Sequence, residues 1–193
     1  MQNDSTAFRL LGALLYHAPT SHNVIQLLNR LSQQNDELLI QLAQLGLETE
    51  SSQLENDFFQ LLQGNGDMPC PPWGSAYLDH ENALFGSSTI EYRAFLTELG
   101  IACDTGMREP EDHIGLMLMM LAVLLEKQDR INANLLVSRH LMPFATFMLE
   151  IMEKRADTDF YKALSILTLG WLNLYCEEAG IYAEARRCYW KVD

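Results

Sequence analysis

The stretch REPEDHIGLMLMMLAVLLE, residues 108–126, decides the fold because it joins an acidic cluster to a long apolar run. The run from Gly115 to Leu125 has eleven residues and no β-branched side chain before Val123. A helix that is apolar on nearly every face is buried on most sides. We therefore predict a central helix over 111–127, with its acidic start emerging at one end of a helical bundle.

Apolar residues recur at helical spacing through the rest of the chain, as at Leu54, Phe58, Leu61 and Leu62. Convincing strand-like alternation does not occur. The pattern predicts an all-α, single-domain helical bundle of about nine or ten helices over residues 1–193. Besides the central helix, the predicted helices lie at 5–17, 21–33, 36–45, 51–63, 88–99, 130–141, 143–154 and 160–178, and a further short helix over 181–190 is left open.

One long segment, residues 64–86, interrupts the helical pattern. It holds three of the six prolines and four of the eleven glycines, which excludes a continuous helix. Its apolar side chains, among them Trp73 and Tyr77, are unsuited to a solvated tether. We interpret the segment as an ordered loop lying across the helices.

Composition excludes several classes of protein. The formal net charge of −13 disfavours nucleic acid and anionic membranes as partners, because phosphates are bound by clustered Lys and Arg. The first residues lack a secretory signal, and the eleven-residue apolar run is about half of the roughly 20 residues that cross a bilayer. The sequence thus predicts a soluble, cytoplasmic protein without a transmembrane segment. The four cysteines lack zinc-site spacing and are interpreted as reduced thiols.

The acidic cluster EPEDH, residues 109–113, has more than one reading. Pro110 suits a first helical turn, where Glu111 and Asp112 would gain about 0.3–1 kcal/mol each from the helix dipole. A metal site is disfavoured because adjacent residues point in different directions on a helix. His113 is either a general base or pH-sensitive group, or a histidine hydrogen-bonded at a helix start.

Two other motifs contain residues that could belong to a catalytic site or an export signal. LDHE at 78–81 is a short polar patch with no nucleophile pattern to complete a triad. RRCYWK at 186–191 lies at the wrong end of the chain for an export signal and is interpreted as a solvated helix face. The residues therefore predict neither a catalytic nor a metal site, and no cofactor.

Three motifs in order resemble the TorD/DmsD family of cytoplasmic redox-enzyme maturation chaperones, and most closely its dimethyl sulfoxide reductase branch. They are PPWGSAYLDHENALFGSST at 71–89, EPEDHIG at 109–115 and HLMPF at 140–144. The resemblance implies a single all-α domain that binds rather than catalyses. Members hold the twin-arginine leader and apoprotein of a molybdenum-cofactor enzyme, delaying export by the Tat system until the cofactor is inserted.

The resemblance also implies which residues bind the leader. Asp112, with Glu109, Glu111 or Asp79, would meet the two arginines, because carboxylates pair with guanidinium groups. Close relatives tend to carry tryptophan at Phe58, Gly66 and Tyr77 and phenylalanine at Leu62, so the apolar platform is smaller here and the client is left open. The remaining implied residues are Pro110, His113, Trp73, Tyr77, Phe58, Leu61 and Leu62.

Two alternatives stay open beside the chaperone. One is a small helical enzyme or metal protein that uses the EPEDH and LDHE polar groups, and the other is a helical scaffold without leader specificity. Further candidate partners are the Tat translocase and proteins of molybdenum-cofactor biosynthesis. The sequence does not determine the client, the oligomeric state, nucleotide binding or a second client-contacting surface.

Overall fold

The central helix of the bundle is α7, Ile114–Glu126, whose inner face is fully buried. Helix α1, Gln2–Tyr16, packs along it over most of its length. The two backbones approach closely at Gly12 and Gly115, where an added Cβ would lie 2.6 Å or 2.7 Å from the carbonyl oxygen of the facing glycine. The predicted burial of this helix is therefore confirmed, and glycine pairing explains how close its neighbour lies.

The computed structural model describes residues 2–64, 68–81, 84–101 and 109–190. Within those ranges the chain is all-α, as predicted, with helices at every predicted position from the first to 160–178. Helices α4 and α8 each continue into a π-helical turn, Phe59–Gln63 and Leu136–Leu141. The other elements are α2 (His22–Leu31), α3 (Glu37–Glu48), α4 (Ser51–Phe58), α5 (Gly74–Leu78), α6 (Ser87–Glu98), α8 (Arg130–Leu135), α9 (Met142–Arg155) and α10 (Asp159–Ala179).

Side-chain caps explain several helix ends. Ser21 accepts a hydrogen bond from the backbone N–H of Val24 at the start of α2. Gly100, with φ of 68°, follows the last turn of α6. At the start of α10, the buried carboxylate of Asp57 accepts hydrogen bonds from the backbone N–H groups of Asp157 and Thr158, which ties α4 to the α9–α10 turn.

One predicted local feature is wrong. Helix α7 begins at Ile114, so Pro110, Glu111 and Asp112 lie before it and not in its first turn. The irregular segment contains one short helix, α5, which packs against α6 and α9. Residues 181–190, where a short helix was left open, have no regular secondary structure and are held by contacts with distant parts of the chain.

One helical stretch, Arg130–Arg155, is long and apolar enough to cross a membrane by length and composition. It spans α8 and α9, and 61% of its most apolar window is buried inside the protein, as in the core helix of a soluble protein. The described cysteines Cys70, Cys176 and Cys188 are free thiols. Cys103 lies outside the described residues.

Candidate binding site

The structure brings two of the sequence motifs into direct backbone contact. The N–H of Ile114 donates to the carbonyl of Pro72 at 2.8 Å, and the N–H of Gly74 donates to the carbonyl of Asp112 at 3.1 Å. Between these bonds Trp73 and His113 form an antiparallel bridge. The 71–78 loop and the 109–113 turn thus form one structural unit, which we call the loop–turn unit.

Asp112 holds the loop–turn unit together from inside. Its Oδ2 accepts hydrogen bonds from the backbone N–H of Ser75 at 2.6 Å and from the hydroxyl of Thr89 at 3.1 Å. Burial raises the pKa of Asp112, and the hydrogen bonds from Ser75 and Thr89 offset part of that rise. Only 3% of the residue is exposed, so in this structure the carboxylate is not accessible to the arginines that it was predicted to bind.

His113 is the N-cap of α7. Its Nδ1 accepts a hydrogen bond from the backbone N–H of Gly115 at 3.0 Å. The ring packs edge-on against Tyr16 and Trp73, with centroids 5.1 Å and 5.9 Å apart. Burial lowers the pKa of His113 to about 3, so the imidazole is neutral. Of the two open readings, this geometry favours the histidine hydrogen-bonded at a helix start.

The other predicted carboxylates are also engaged. Glu109 is mostly covered, and burial raises its pKa, while the neighbouring Tyr16 and Trp73 side chains lower it by less. Glu111 forms a bidentate pair with the guanidinium of Arg93 at 2.9 Å and 2.7 Å. Asp79 is buried and accepts hydrogen bonds from Ser87 and Ser88 at the start of α6, so its carboxylate is not accessible to an arginine in this structure.

Most of the predicted apolar platform belongs to the core. Phe58, Leu61, Leu62 and Tyr77 are at most 6% exposed, and Pro110 is buried. Helical spacing could not separate these residues from a surface stripe, because a core face and a docking face share one pattern. Trp73 is only half-buried and remains at the surface of the loop–turn unit. Gly66 lies outside the described residues.

An open groove beside the loop–turn unit was missed from the sequence. It has a volume of about 430 Å³ and lies between α6 and the continuous α8 segment. On α6, Glu91, Phe95 and Glu98 follow at helical spacing and face it. The i, i+4, i+7 spacing was the available signal, but exposed acids on a helix are usually a solvated face. The groove is completed by Ala94, Leu99, Asn132, Leu135, Arg139 and His140.

The second missed element is the extended segment 181–190, which we call the C-terminal strap. Its Glu184 N–H donates to the carbonyl of Ser138, and its Tyr189 N–H donates to the carbonyl of Tyr77, both at 2.7 Å. Arg186 of the strap forms an ion pair with Glu91, one of the acids of the groove. The interpretation of this region as a solvated helix face is therefore wrong.

The two buried histidines are expected to make the folded protein less stable at acidic pH. Burial lowers the pKa of His113 to about 3 and of His140 to about 4. The unfolded chain, with histidines near 6.5, then binds more protons than the folded chain, so stability falls as pH drops below about 6.5. Between pH 7 and 5.5 we expect a loss of about 1 kcal/mol for each histidine, from about 1.4 kcal/mol per pH unit.

Urea unfolding at pH 7, 6 and 5.5 measures this dependence. The double variant His113→Asn, His140→Asn should flatten it, because asparagine does not titrate there. His22→Asn, at an exposed histidine of α2, should leave the slope unchanged. A wild-type free energy of unfolding that is constant over this range would contradict neutral, buried imidazoles.

Comparison with known proteins gives one consistent result. Residues 28–157 match the family described as nitrate reductase delta subunit. The Tat proofreading chaperone DmsD of Salmonella typhimurium is 34% identical, with 86% of this chain and 87% of that protein covered. A protein of Haemophilus influenzae named "Probable Tat proofreading chaperone DmsD" is 33% identical, with 98% of each chain covered.

Two more distant proteins are also similar to this chain. The chaperone protein TorD of Shewanella loihica is 29% identical, with 72% of this chain and 68% of that protein covered. The crystal structure of a candidate redox enzyme maturation protein from Archaeoglobus fulgidus has a TM-score of 0.58 and 16% identity, covering 89% of this chain and 93% of that one. At that identity the likeness shows a shared fold.

Proposed function

The chain belongs to the TorD/DmsD family of redox-enzyme maturation chaperones, within its DmsD branch, and from that premise we propose that it binds the twin-arginine leader of a molybdenum-cofactor oxidoreductase. The client resembles dimethyl sulfoxide reductase and is bound as the apoprotein. Binding in the cytoplasm delays export by the Tat system until the cofactor is inserted. The activity is recognition, without a catalytic step.

The observation that carries this proposal is the position of the loop–turn unit beside an acidic groove. Trp73 lies half-exposed on the unit, and Glu109 and Glu111 lie on its 109–113 turn. Glu91 links the groove to the C-terminal strap, whose Tyr189 is bonded to the carbonyl of Tyr77. A twin-arginine leader needs carboxylates for its guanidinium groups and an adjoining apolar surface for its helix-prone part.

The residues divide into two roles under this proposal. Glu91 and Glu98, with Glu109 and Glu111 at the rim, attract the arginines. Phe95, Leu99, Leu135 and Trp73 receive the apolar part of the leader. The buried members of the implied set hold the binding face in shape from within, since their side chains are not accessible: Phe58, Leu61, Leu62, Tyr77, Asp79, Pro110, Asp112 and His113.

Titration calorimetry with a synthetic twin-arginine leader tests the proposal. We expect micromolar or tighter binding, and about tenfold weaker binding of a copy with both arginines changed to lysine, because lysine cannot form bidentate pairs. Affinity should also fall as salt rises, since exposed charges are screened over about 8 Å at physiological ionic strength.

A matched pair of variants locates the binding face. Glu98→Gln, in the groove, should weaken leader binding several-fold, whereas Glu48→Gln, an exposed acid lining a different cavity at the end of α3, should not. Failure of the wild-type chain to bind any twin-arginine leader would remove the proposal. Stoichiometric metal in the purified protein would favour a metal protein instead.

A further inference from the structure

The C-terminal strap is held on the protein surface by specific backbone and side-chain contacts. Backbone bonds fix it at Glu184 and Tyr189, and the indole N–H of Trp190 donates to the carbonyl of Pro69 at 3.1 Å. Ile181, Cys188 and Trp190 pack against the hydrophobic core. The strap is therefore a docked peptide and not a solvated tail.

The strap covers the residues at the centre of the loop–turn unit. The ring of Trp190 lies 5.7 Å from the ring of Tyr77, a residue that the sequence assigned to leader binding. Arg186 lines a small cavity together with Asp112, and the Oδ1 atom of that buried carboxylate has no hydrogen-bond partner among the described residues. An arginine of this chain thus lines the same small cavity as the carboxylate that the family resemblance implies for the leader's arginines.

The chemistry of the strap matches that of the proposed ligand. Arg186 and Arg187 are consecutive, and the aromatic residues Tyr189 and Trp190 follow. The Arg186 side chain is 21% exposed and paired with Glu91, at the edge of the acidic groove. The Arg187 guanidinium lies over the ring of Tyr189, 4.9 Å from its centroid. Two guanidinium groups followed by apolar rings are also what a twin-arginine leader presents.

We propose that the C-terminal strap is a resident twin-arginine segment on the leader-binding face, and that a client leader binds by displacing it. The inference rests on the proposed function, since it names the competitor for the same site. The strap keeps apolar and acidic surface covered in the free chaperone. A leader must therefore bind more tightly than the strap's own contacts, which selects against weak, nonspecific peptides.

Competition of this kind has a measurable consequence. When only a fraction of molecules has the face open, the apparent dissociation constant is the intrinsic value divided by that fraction. Weakening the strap without touching the groove should therefore tighten leader binding. Arg186→Gln removes the ion pair with Glu91, and we expect an affinity increase of about three- to tenfold.

Arg30→Gln is the matched control. It removes the same charge from an exposed arginine of α2, outside the strap and the groove, so leader affinity should change less than about twofold. Equal affinities of Arg186→Gln and Arg30→Gln beside a leader-binding wild type would overturn the displacement while leaving the chaperone function intact. Binding by Arg186→Gln alone would support both ideas, and binding by none of the three chains would remove both.

Hydrogen exchange on the unaltered chain tests displacement directly. The N–H groups of Glu184 and Tyr189 donate to Ser138 and Tyr77, so they should exchange slowly in the free protein. Saturating twin-arginine leader should raise deuterium uptake over residues 181–190. Unchanged or lower uptake there, measured while the leader is bound, would show that the leader and the strap do not compete.

Discussion

Replacing Gly115 by alanine is expected to lower the free energy of unfolding by about 1–3 kcal/mol, or more. The new methyl carbon would lie 2.7 Å from the carbonyl oxygen of Gly12 and 2.9 Å from the Cβ of Tyr16. The first of these is a backbone atom of the facing helix, so relief requires α1 and α7 to move apart. That movement would loosen the most extensive helix pair of the bundle.

A glycine-to-alanine substitution in α10 is expected to raise the free energy of unfolding instead of lowering it. Gly170 lies exposed in α10, and an added Cβ there meets nothing within 4 Å. Gly170→Ala should therefore raise the free energy of unfolding by up to about 1 kcal/mol, through helix propensity alone. Urea unfolding of both variants at pH 7 provides the comparison. If Gly115→Ala proved as stable as the wild type, the close glycine crossing described for α1 and α7 would be wrong.

Replacing Asp112 by alanine should both destabilise the chain and disable its binding face. The substitution leaves the buried N–H of Ser75 and hydroxyl of Thr89 without their acceptor, and each unpaired group costs about 1–3 kcal/mol. Asp112→Asn should cost much less, because the amide oxygen can accept the same bonds. The asparagine variant also removes a buried charge that burial already disfavours, as the raised pKa of Asp112 indicates.

Leader affinity of the two Asp112 variants shows whether Asp112 supports the binding face from within or contacts the leader directly. With Asp112 acting as an internal support, Asp112→Asn should bind a twin-arginine leader within about threefold of the wild type, while Asp112→Ala should lose at least about tenfold through distortion of the loop–turn unit. Calorimetry beside chemical unfolding measures both effects. A large loss in Asp112→Asn at unchanged stability would instead indicate that the charge itself reaches the leader's arginines.

The helical class and the buried central helix could be predicted because they follow from local pattern. Eleven apolar residues between Gly115 and Leu125 allow few arrangements other than a buried helix. Pro143 and Ser21 mark helix starts through chemistry that acts within one turn. The family resemblance, and not local pattern, implied that Trp73 and Asp112 belong to one site, and the structure brings their two motifs into contact although 112 − 73 = 39 positions separate them.

The exposure of individual side chains could not be predicted in the same way. Phe58 and Leu62 read equally well as core or as docking surface, and Asp112 and Asp79 read as surface acids. Their burial depends on backbone N–H and hydroxyl donors supplied by other segments, Ser75 and Thr89 for one carboxylate, Ser87 and Ser88 for the other.

The sequence by itself determined that this chain is an all-α protein of the TorD/DmsD family and which two motifs belong together, because periodicity, caps and motif order are properties of neighbouring residues. Only the tertiary structure decided that Asp112 and His113 face inward and that Glu91 and Phe95 border an open groove. It also decided that Arg186 pairs with Glu91 from a distant part of the chain. These outcomes depend on contacts between residues that lie 23, 37 and 95 positions apart, which no local spacing encodes.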